Sequence, residues 1–281
     1  MEMITGGGCD TANPKQAQDA QDEALEKSLK RIKETFIVMS GKGGVGKSSV
    51  SVNLAVALAN KGYKVGIMDV DIHGPDIPRM LGIHQEMMGV TPERRLAPLQ
   101  YSKNLCAVSI ESLTPDKDAA VIWRGPVKHS VIRQFISDVE WGDLDFLIID
   151  APPGTGDEPL SVTQVIQGAR AIIVTTPQEV ALADVRKSIN FCKTVKMAVF
   201  GLVENMSGFA CPHCNETIDI FGSGGGERTA KDFGIPFLGR IPFDPRVVAC
   251  GDSGACYQET HKNTGVTEAF EAIVEKISEQ V

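Results

Sequence analysis

One stretch, Gly41-Lys42-Gly43-Gly44-Val45-Gly46-Lys47-Ser48, constrains this chain more than any other. It fits the pattern G-x-x-x-x-G-K-[ST], follows the apolar run Phe36-Ile37-Val38-Met39, and opens a helix-like run from Ser48 to Asn60. Strand, glycine-rich turn and helix in that order form a phosphate cradle. The glycines let backbone N–H groups curl around a polyphosphate, and the helix N-terminus adds partial positive charge. Gly43, Gly44, Val45, Gly46, Lys47, Ser48 and Ser49 are therefore the candidate nucleotide-binding residues. Lys47 is expected to reach the β- and γ-phosphates, and the Ser48 hydroxyl to ligate Mg²⁺.

The rest of the chain reads as the fold that such a loop needs. Apolar runs at Thr35–Ser40, Lys64–Asp69, Leu105–Ile110, Phe146–Asp150, Ala171–Thr176, Ala198–Asn205 and Phe237–Ile241 alternate with helical stretches. Several runs are continuous rather than alternating, as parallel strands buried on both faces require. The expected class is α/β, a doubly wound and mostly parallel sheet flanked by helices. Met87 to Lys103, with mixed charge and prolines, reads as an excursion from the sheet.

Residues 1–30 stand apart as a polar, flexible tail leading into a short helix, with helical spacing at Leu25, Leu29 and Ile32. Residues 31–281 form the phosphate-loop domain. The N-terminus lacks a basic region followed by an apolar core, so no secretory signal is expected. No run approaches the ~18 apolar residues of a membrane span. A net charge of −8 argues against sequence-independent nucleic-acid binding, which relies on clustered Lys and Arg. Seven cysteines beside a phosphate loop suggest a reducing cytoplasm, where thiols serve as metal ligands or buried fillers.

Further segments complete a nucleotide site. Phe146-Leu147-Ile148-Ile149-Asp150 delivers a carboxylate at a strand end, suited to orienting the Mg²⁺ water shell. Met68-Asp69-Val70-Asp71 delivers two more, one of which could polarise the attacking water. No [NT]-K-x-D tetrad occurs, which favours ATP over GTP.

The loop's extra lysine, Lys42, resembles the deviant phosphate loop of the MinD/ParA/nitrogenase-iron-protein class of dimeric ATPases. That resemblance implies that Lys42 crosses a dimer interface to the partner's phosphates and stabilises the transferring phosphoryl group as an arginine finger would. It also implies that Asp71 is the switch I carboxylate positioning water, within a switch spanning residues 71–76. Asp150 would be the Mg²⁺-associated carboxylate, Gly154 to Glu158 switch II, and Asn205 with Arg240-Ile241-Pro242 the adenine contacts.

Cys211-Pro212-His213-Cys214 is the second informative feature. C-x-x-C spacing brings two thiolates onto one metal without strain, but one pair supplies only half of a four-thiolate site. No second C-x-x-C occurs in the chain. A symmetric dimer would bring two copies together at its two-fold axis. A bridging [4Fe–4S] cluster, a Zn²⁺ in the same pocket, and a redox or inert dithiol all fit the spacing. A redox C-x-x-C of the thioredoxin type would open a helix after a strand, and this segment, lying in a loop at residues 207–222, does not resemble one.

Taken with Gly201 to Ser207, Trp123-Arg124-Gly125-Pro126 and Asp150-Ala151-Pro152-Pro153-Gly154-Thr155-Gly156-Asp157, the cysteine pair closely resembles the Mrp/ApbC family of iron–sulfur cluster carrier ATPases. The likeness runs over about residues 31–280. It implies a cytoplasmic homodimer that holds a labile [4Fe–4S] cluster on Cys211 and Cys214, with ATP and Mg²⁺ modulating its transfer to apo iron–sulfur proteins. Eukaryotic relatives carry an N-terminal four-cysteine motif; here that region has only Cys9. Cys250 and Cys256 read as incidental residues of a helix-end turn, with Cys256 where the family has proline. Cys106 and Cys192 read as packing residues, and His73 as a switch-loop residue.

Rival readings place the chain among positioning ATPases, ATP-driven reductases or nickel- and zinc-insertion ATPases. The helical run Val266 to Ile277 has an acidic polar face, whereas membrane targeting needs Lys and Arg there. The segment after Asp150 carries no cysteine, which a nitrogenase-like cluster would require. Nickel or zinc insertion differs only in what the cysteine pair holds.

Overall fold

The computed structural model describes residues 14–71, 74–113, 125–211, 213–214 and 216–280. Cys9 and the tail up to residue 13, His73, Trp123, Arg124 and Pro212 lie outside the described residues, as do the side chains of Asp157 and Glu158.

The chain begins with α1 (Pro14–Leu29), β1 (Ile32–Ser40), α2 (Lys47–Asn60), β2 (Val65–Asp69) and α3 (Ile77–Met80). Next come β3 (Leu99–Ser102), β4 (Leu105–Ser109), a 3₁₀ turn (Ile110–Leu113), α4 (Gly125–Ser137) and β5 (Leu144–Asp150). Then follow α5 (Asp157–Val165), β6 (Arg170–Thr175), α6 (Glu179–Thr194), β7 (Val199–Glu204), and the short β8 (Phe209–Ala210) and β9 (Thr217–Ile218). The chain closes with α7 (Gly225–Phe233), β10 (Phe237–Arg240), α8 (Pro245–Ser253), α9 (Tyr257–Thr260) and α10 (Gly265–Ser278).

The main sheet has eight strands in the order β10-β7-β6-β1-β5-β2-β4-β3. All its pairings are parallel except β3 with β4. The expected doubly wound fold is therefore present. Side chains of β1 divide by parity: Phe36 and Val38 enter one apolar layer, Ile37 and Met39 the other. The first layer is closed by α2 and α10 through Leu54, Leu58, Phe270 and Ile273, the second by α4, α5 and α6 through Phe135, Val162 and Ile189. Burial on both faces is why these strands read as unbroken apolar runs. Strand β1 lies between β5 and β6, and the chain leaves it through the glycine loop at the carboxyl edge of the sheet, where α/β folds bind ligands.

Two expectations need correction. The region 87–103 does not stay outside the sheet, because Leu99–Ser102 returns as an antiparallel edge strand, with Leu99 opposite Ala107. An edge strand of four residues with one buried side chain carries too little periodicity to be read beforehand. At the N-terminus the helix reaches back to Pro14 and ends at Leu29, so that Ile32, counted into the helical spacing, is instead paired with Leu144 in the sheet. Leu25 is buried, and Asp22 pairs with Arg133 of α4.

Candidate functional site

The loop between β1 and α2 is shaped by contacts that exclude side chains. A Cβ at Gly41 would lie 2.4 Å from the Asp184 backbone of α6. At Gly46 the backbone is left-handed, with φ 80°, and a Cβ would meet the Asn205 amide at 2.4 Å. Outside the loop the space is open: nothing lies within 4 Å of a Cβ built on Gly44. Ser40 Oγ donates to the Lys42 carbonyl at 2.9 Å, and the Gly154 N–H donates to the Ser40 carbonyl at 2.8 Å, tying the end of β1 to the segment that follows β5.

Asp150, at the end of β5, is the centre of the site. It is 1% exposed, and its Oδ2 accepts from Lys47 Nζ at 2.6 Å and Ser48 Oγ at 2.7 Å. Its Oδ1 accepts from Ser51 Oγ at 2.6 Å. Ser51, four residues after Lys47 on α2, was not singled out from the sequence, although helical spacing puts it on the same face. The donor set fits a nucleotide with Mg²⁺: a cradle of N–H groups, a lysine, a serine hydroxyl and a carboxylate.

Asp69 stands in register beside Asp150 on the neighbouring strand and is 1% exposed. Its Oδ1 accepts from the Asp71 N–H at 3.0 Å and its Oδ2 from the Ile77 N–H at 3.2 Å, so one carboxyl holds the chain at Asp71 and again at Ile77, the two sides of the segment expected to be switch I. Burial, then the charge of Asp150, pushes its carboxyl well above the usual range. Asp71 itself is half-buried, whereas Asp76, just before α3, is pushed up by burial and then by Asp71. Lys42 is half-exposed and makes no hydrogen bond or ion pair through its ammonium among the described residues.

A cavity of about 270 Å³ opens beside the loop, lined by Gly46, Ser49, Asn205, Met206, Pro242 and Phe243. Asn205 and Pro242 thus meet at one site although they are far apart in sequence. The Asn205 amide donates to the Val45 carbonyl at 2.9 Å. Its wall also includes Val247, Val248 and Gly251 of α8, which no sequence motif marks. Arg240 does not line it. That guanidinium pairs with Glu227 and lies 3.5 Å from buried Glu204, because the strand's alternation turns it away from Ile241.

The cysteine pair sits in the turn of the β8–β9 hairpin, closed by the Cys211 N–H donating to the Glu216 carbonyl at 2.9 Å. Cys211 is half-buried and Cys214 exposed. The N–H groups of His213 and Cys214, followed by the Cys214 thiol, hold the Cys211 thiol below its ordinary range. Donors aimed at sulfur favour a thiolate, the form that binds metal. His213 is exposed. Among the described residues no three His, Cys, Asp or Glu side chains converge as a metal site. The other described thiols are buried: burial pushes Cys106, Cys192 and Cys256 up to about 12, and Cys250 lies inside α8.

Residues 31–278 match the model of a ParA-type family described as NUBPL iron-transfer P-loop NTPase. The chain belongs to that family. An "Iron-sulfur cluster carrier protein" from Methanocaldococcus jannaschii is 46% identical, covering 98% of this chain and 97% of the relative. The "Cytosolic Fe-S cluster assembly factor CFD1" of Saccharomyces cerevisiae is 45% identical over 90% of each chain. A nucleotide-binding protein from Archaeoglobus fulgidus, solved in complex with ADP and with Co found by PIXE, superposes with a TM-score of 0.74 at 38% identity, covering 87% of this chain and 98% of its own. The cell division ATPase MinD of Pyrococcus furiosus shares the fold, with a TM-score of 0.64 at 24% identity over 89% of this chain and 100% of its own. The expected iron–sulfur carrier ATPase of the MinD/ParA class is borne out at the level of family, and with it a nucleotide-binding P-loop NTPase.

Proposed function

We propose that this member of the family is a slow, dimer-dependent ATPase that carries a labile [4Fe–4S] cluster on Cys211 and Cys214 of two copies and passes it to apo iron–sulfur proteins in the cytoplasm. One observation carries the reading: the chain holds two incomplete half-sites. The hairpin presents Cys211, whose thiol is held below its ordinary range, next to Cys214, and among the described residues no third ligand stands beside them and the Lys42 ammonium is unengaged. A second copy related by a two-fold axis would complete both.

In this reading Lys47 leaves Asp150 to hold the β- and γ-phosphates, and Ser48 with Asp150 would hold Mg²⁺, which neutralises phosphate charge. Asp71 orients the attacking water, and the partner's Lys42 stabilises the charge that builds on the transferring group. Adenine enters the cavity walled by Asn205 and Pro242. A cluster held by two thiolates from each copy on a short hairpin is weakly enclosed, which suits release. The printed names of the relatives support iron–sulfur cargo; zinc or nickel between the same thiolates is the competing reading of the same geometry.

Anaerobic reconstitution with iron and sulfide tests it. About four irons and four sulfides per dimer are expected, as in a four-thiolate cluster, and none in a Cys211→Ala/Cys214→Ala protein that still binds nucleotide. Tightly held zinc or nickel with no iron in the wild type would overturn the carrier function and leave the ATPase.

A further inference from the structure

The nucleotide cavity and the cysteine hairpin share a wall. Beyond the ends of β7 and β10 the two segments continue side by side: the Ile241 N–H donates to the Glu204 carbonyl at 2.8 Å, the Ser207 N–H to the Ile241 carbonyl at 2.9 Å, and the Phe243 N–H to the Gly208 carbonyl at 2.8 Å. This ribbon lines the cavity through Asn205, Met206, Ile241, Pro242 and Phe243. It becomes the hairpin at the very next residue, Phe209.

Phe243 is the side chain common to both. Its ring lies 6.0 Å from that of Phe209 at 63°, and 6.0 Å from that of Phe221 at 80°. Phe209, in β8, precedes the cysteines and Phe221, three residues past β9, follows them, so the chain on both sides of the hairpin rests edge-on against one ring. Edge-to-face aromatic pairs prefer defined geometry. A shift of the Phe243 ring would therefore disturb the chain on both sides of the cysteines. Two residues of the ribbon, Met206 with φ 57° and Gly208 with φ 76°, hold left-handed backbone next to the cavity. A non-glycine residue in that conformation persists only where its surroundings enforce it. Met206 is itself part of the cavity wall.

We infer that Phe243 is a positioning residue for the cysteine pair, through which a base seated in the cavity sets the geometry of the Cys211–Cys214 turn. The inference rests on the cavity taking the nucleotide base and the cysteines taking the cargo, as proposed above. Linkage makes the effect reciprocal: whatever the base does to the thiol turn, a group bound on the thiols does to nucleotide affinity.

The test reads the thiols, not the cluster. Alkylation of Cys211 and Cys214 in the full-length, metal-free chain is followed peptide by peptide, with and without saturating Mg-ADP. Nucleotide is expected to change the wild-type rate by about fivefold or more, the lower end of ordinary allosteric coupling. In Phe221→Leu, which lies outside the cavity wall, and in Phe243→Leu at saturating nucleotide, that ratio is expected to fall toward unity. A fluorescent ADP analogue reports binding in the same samples. Wild-type thiols indifferent to bound ADP, or a ratio unchanged in Phe221→Leu, would overturn the inference. Iron plays no part in the readout, so a chain that prefers zinc fails the carrier proposal while still testing this one.

Discussion

Lys47 at the head of α2 and Asp150 at the end of β5 form a buried ion pair, Nζ to Oδ2 at 2.6 Å, with side chains 7% and 1% exposed. The pair joins the phosphate loop to the strand expected to serve Mg²⁺, and it is also a stability element. Removing one partner of a buried pair strands the other charge. Lys47→Ala is therefore expected to cost about 3 kcal/mol of stability as well as all nucleotide hydrolysis. The cysteine turn should remain able to take its cargo. Thermal melts, a phosphate-release assay and iron analysis on one preparation check all three.

Lys42 contrasts with Lys47 because its ammonium makes no hydrogen bond or ion pair among the described residues. Lys42→Ala should leave the melting temperature unchanged and lower hydrolysis by about 10³-fold, the usual loss for a finger cation. Its action in trans can be read directly. Inactive Lys42→Ala and inactive Asp71→Ala proteins, mixed in equal amounts, should recover about a quarter of wild-type turnover, since half the dimers are mixed and each has one intact site. No recovery would mean that Lys42 acts within its own chain.

Gly254 ends α8 with φ 72°, and a Cβ there would lie 2.7 Å from the Gly82 Cα just beyond α3. Both the left-handed backbone and the backbone contact exclude alanine. Gly254→Ala is expected to cost about 2 kcal/mol. Because α8 walls the cavity and α3 follows switch I, nucleotide affinity should fall with it, measurable by urea titration and by binding.

Asp244 caps α8 by accepting from the Arg246 N–H at 2.9 Å. Burial raises its carboxyl, but hydrogen bonds from the Arg246 guanidinium and Tyr257 win and bring it down to about 2. A carboxyl depressed in the folded state stabilises the fold above its unfolded value, and that contribution is lost as pH falls toward the folded one. Melting temperatures of wild type and Asp244→Asn should therefore differ most above about pH 5 and converge toward about pH 2. Curves that stay parallel down to pH 2 would contradict the assignment.

What the chain announces by itself is local in origin. The phosphate loop depends on eight consecutive residues, and the central strands on continuous apolar runs, so both were legible from neighbours in sequence. The cysteine spacing likewise marks a candidate ligand pair within four consecutive residues. Tertiary structure decided what depends on residues distant in the chain. Ser51 joins Asp150 across 99 positions, Asn205 reaches Val45 across 160, and α8, which no motif marks, closes one side of the cavity. Arg240 was expected near the base by resemblance to the family, and strand alternation turns its guanidinium toward Glu204 instead. The edge strand β3 and the aromatic contact between Phe243 and the hairpin have the same cause. Each is stabilised by residues outside its own segment, β3 by β4 and Phe243 by Phe209 and Phe221, and such pairing leaves almost no periodic trace in the sequence.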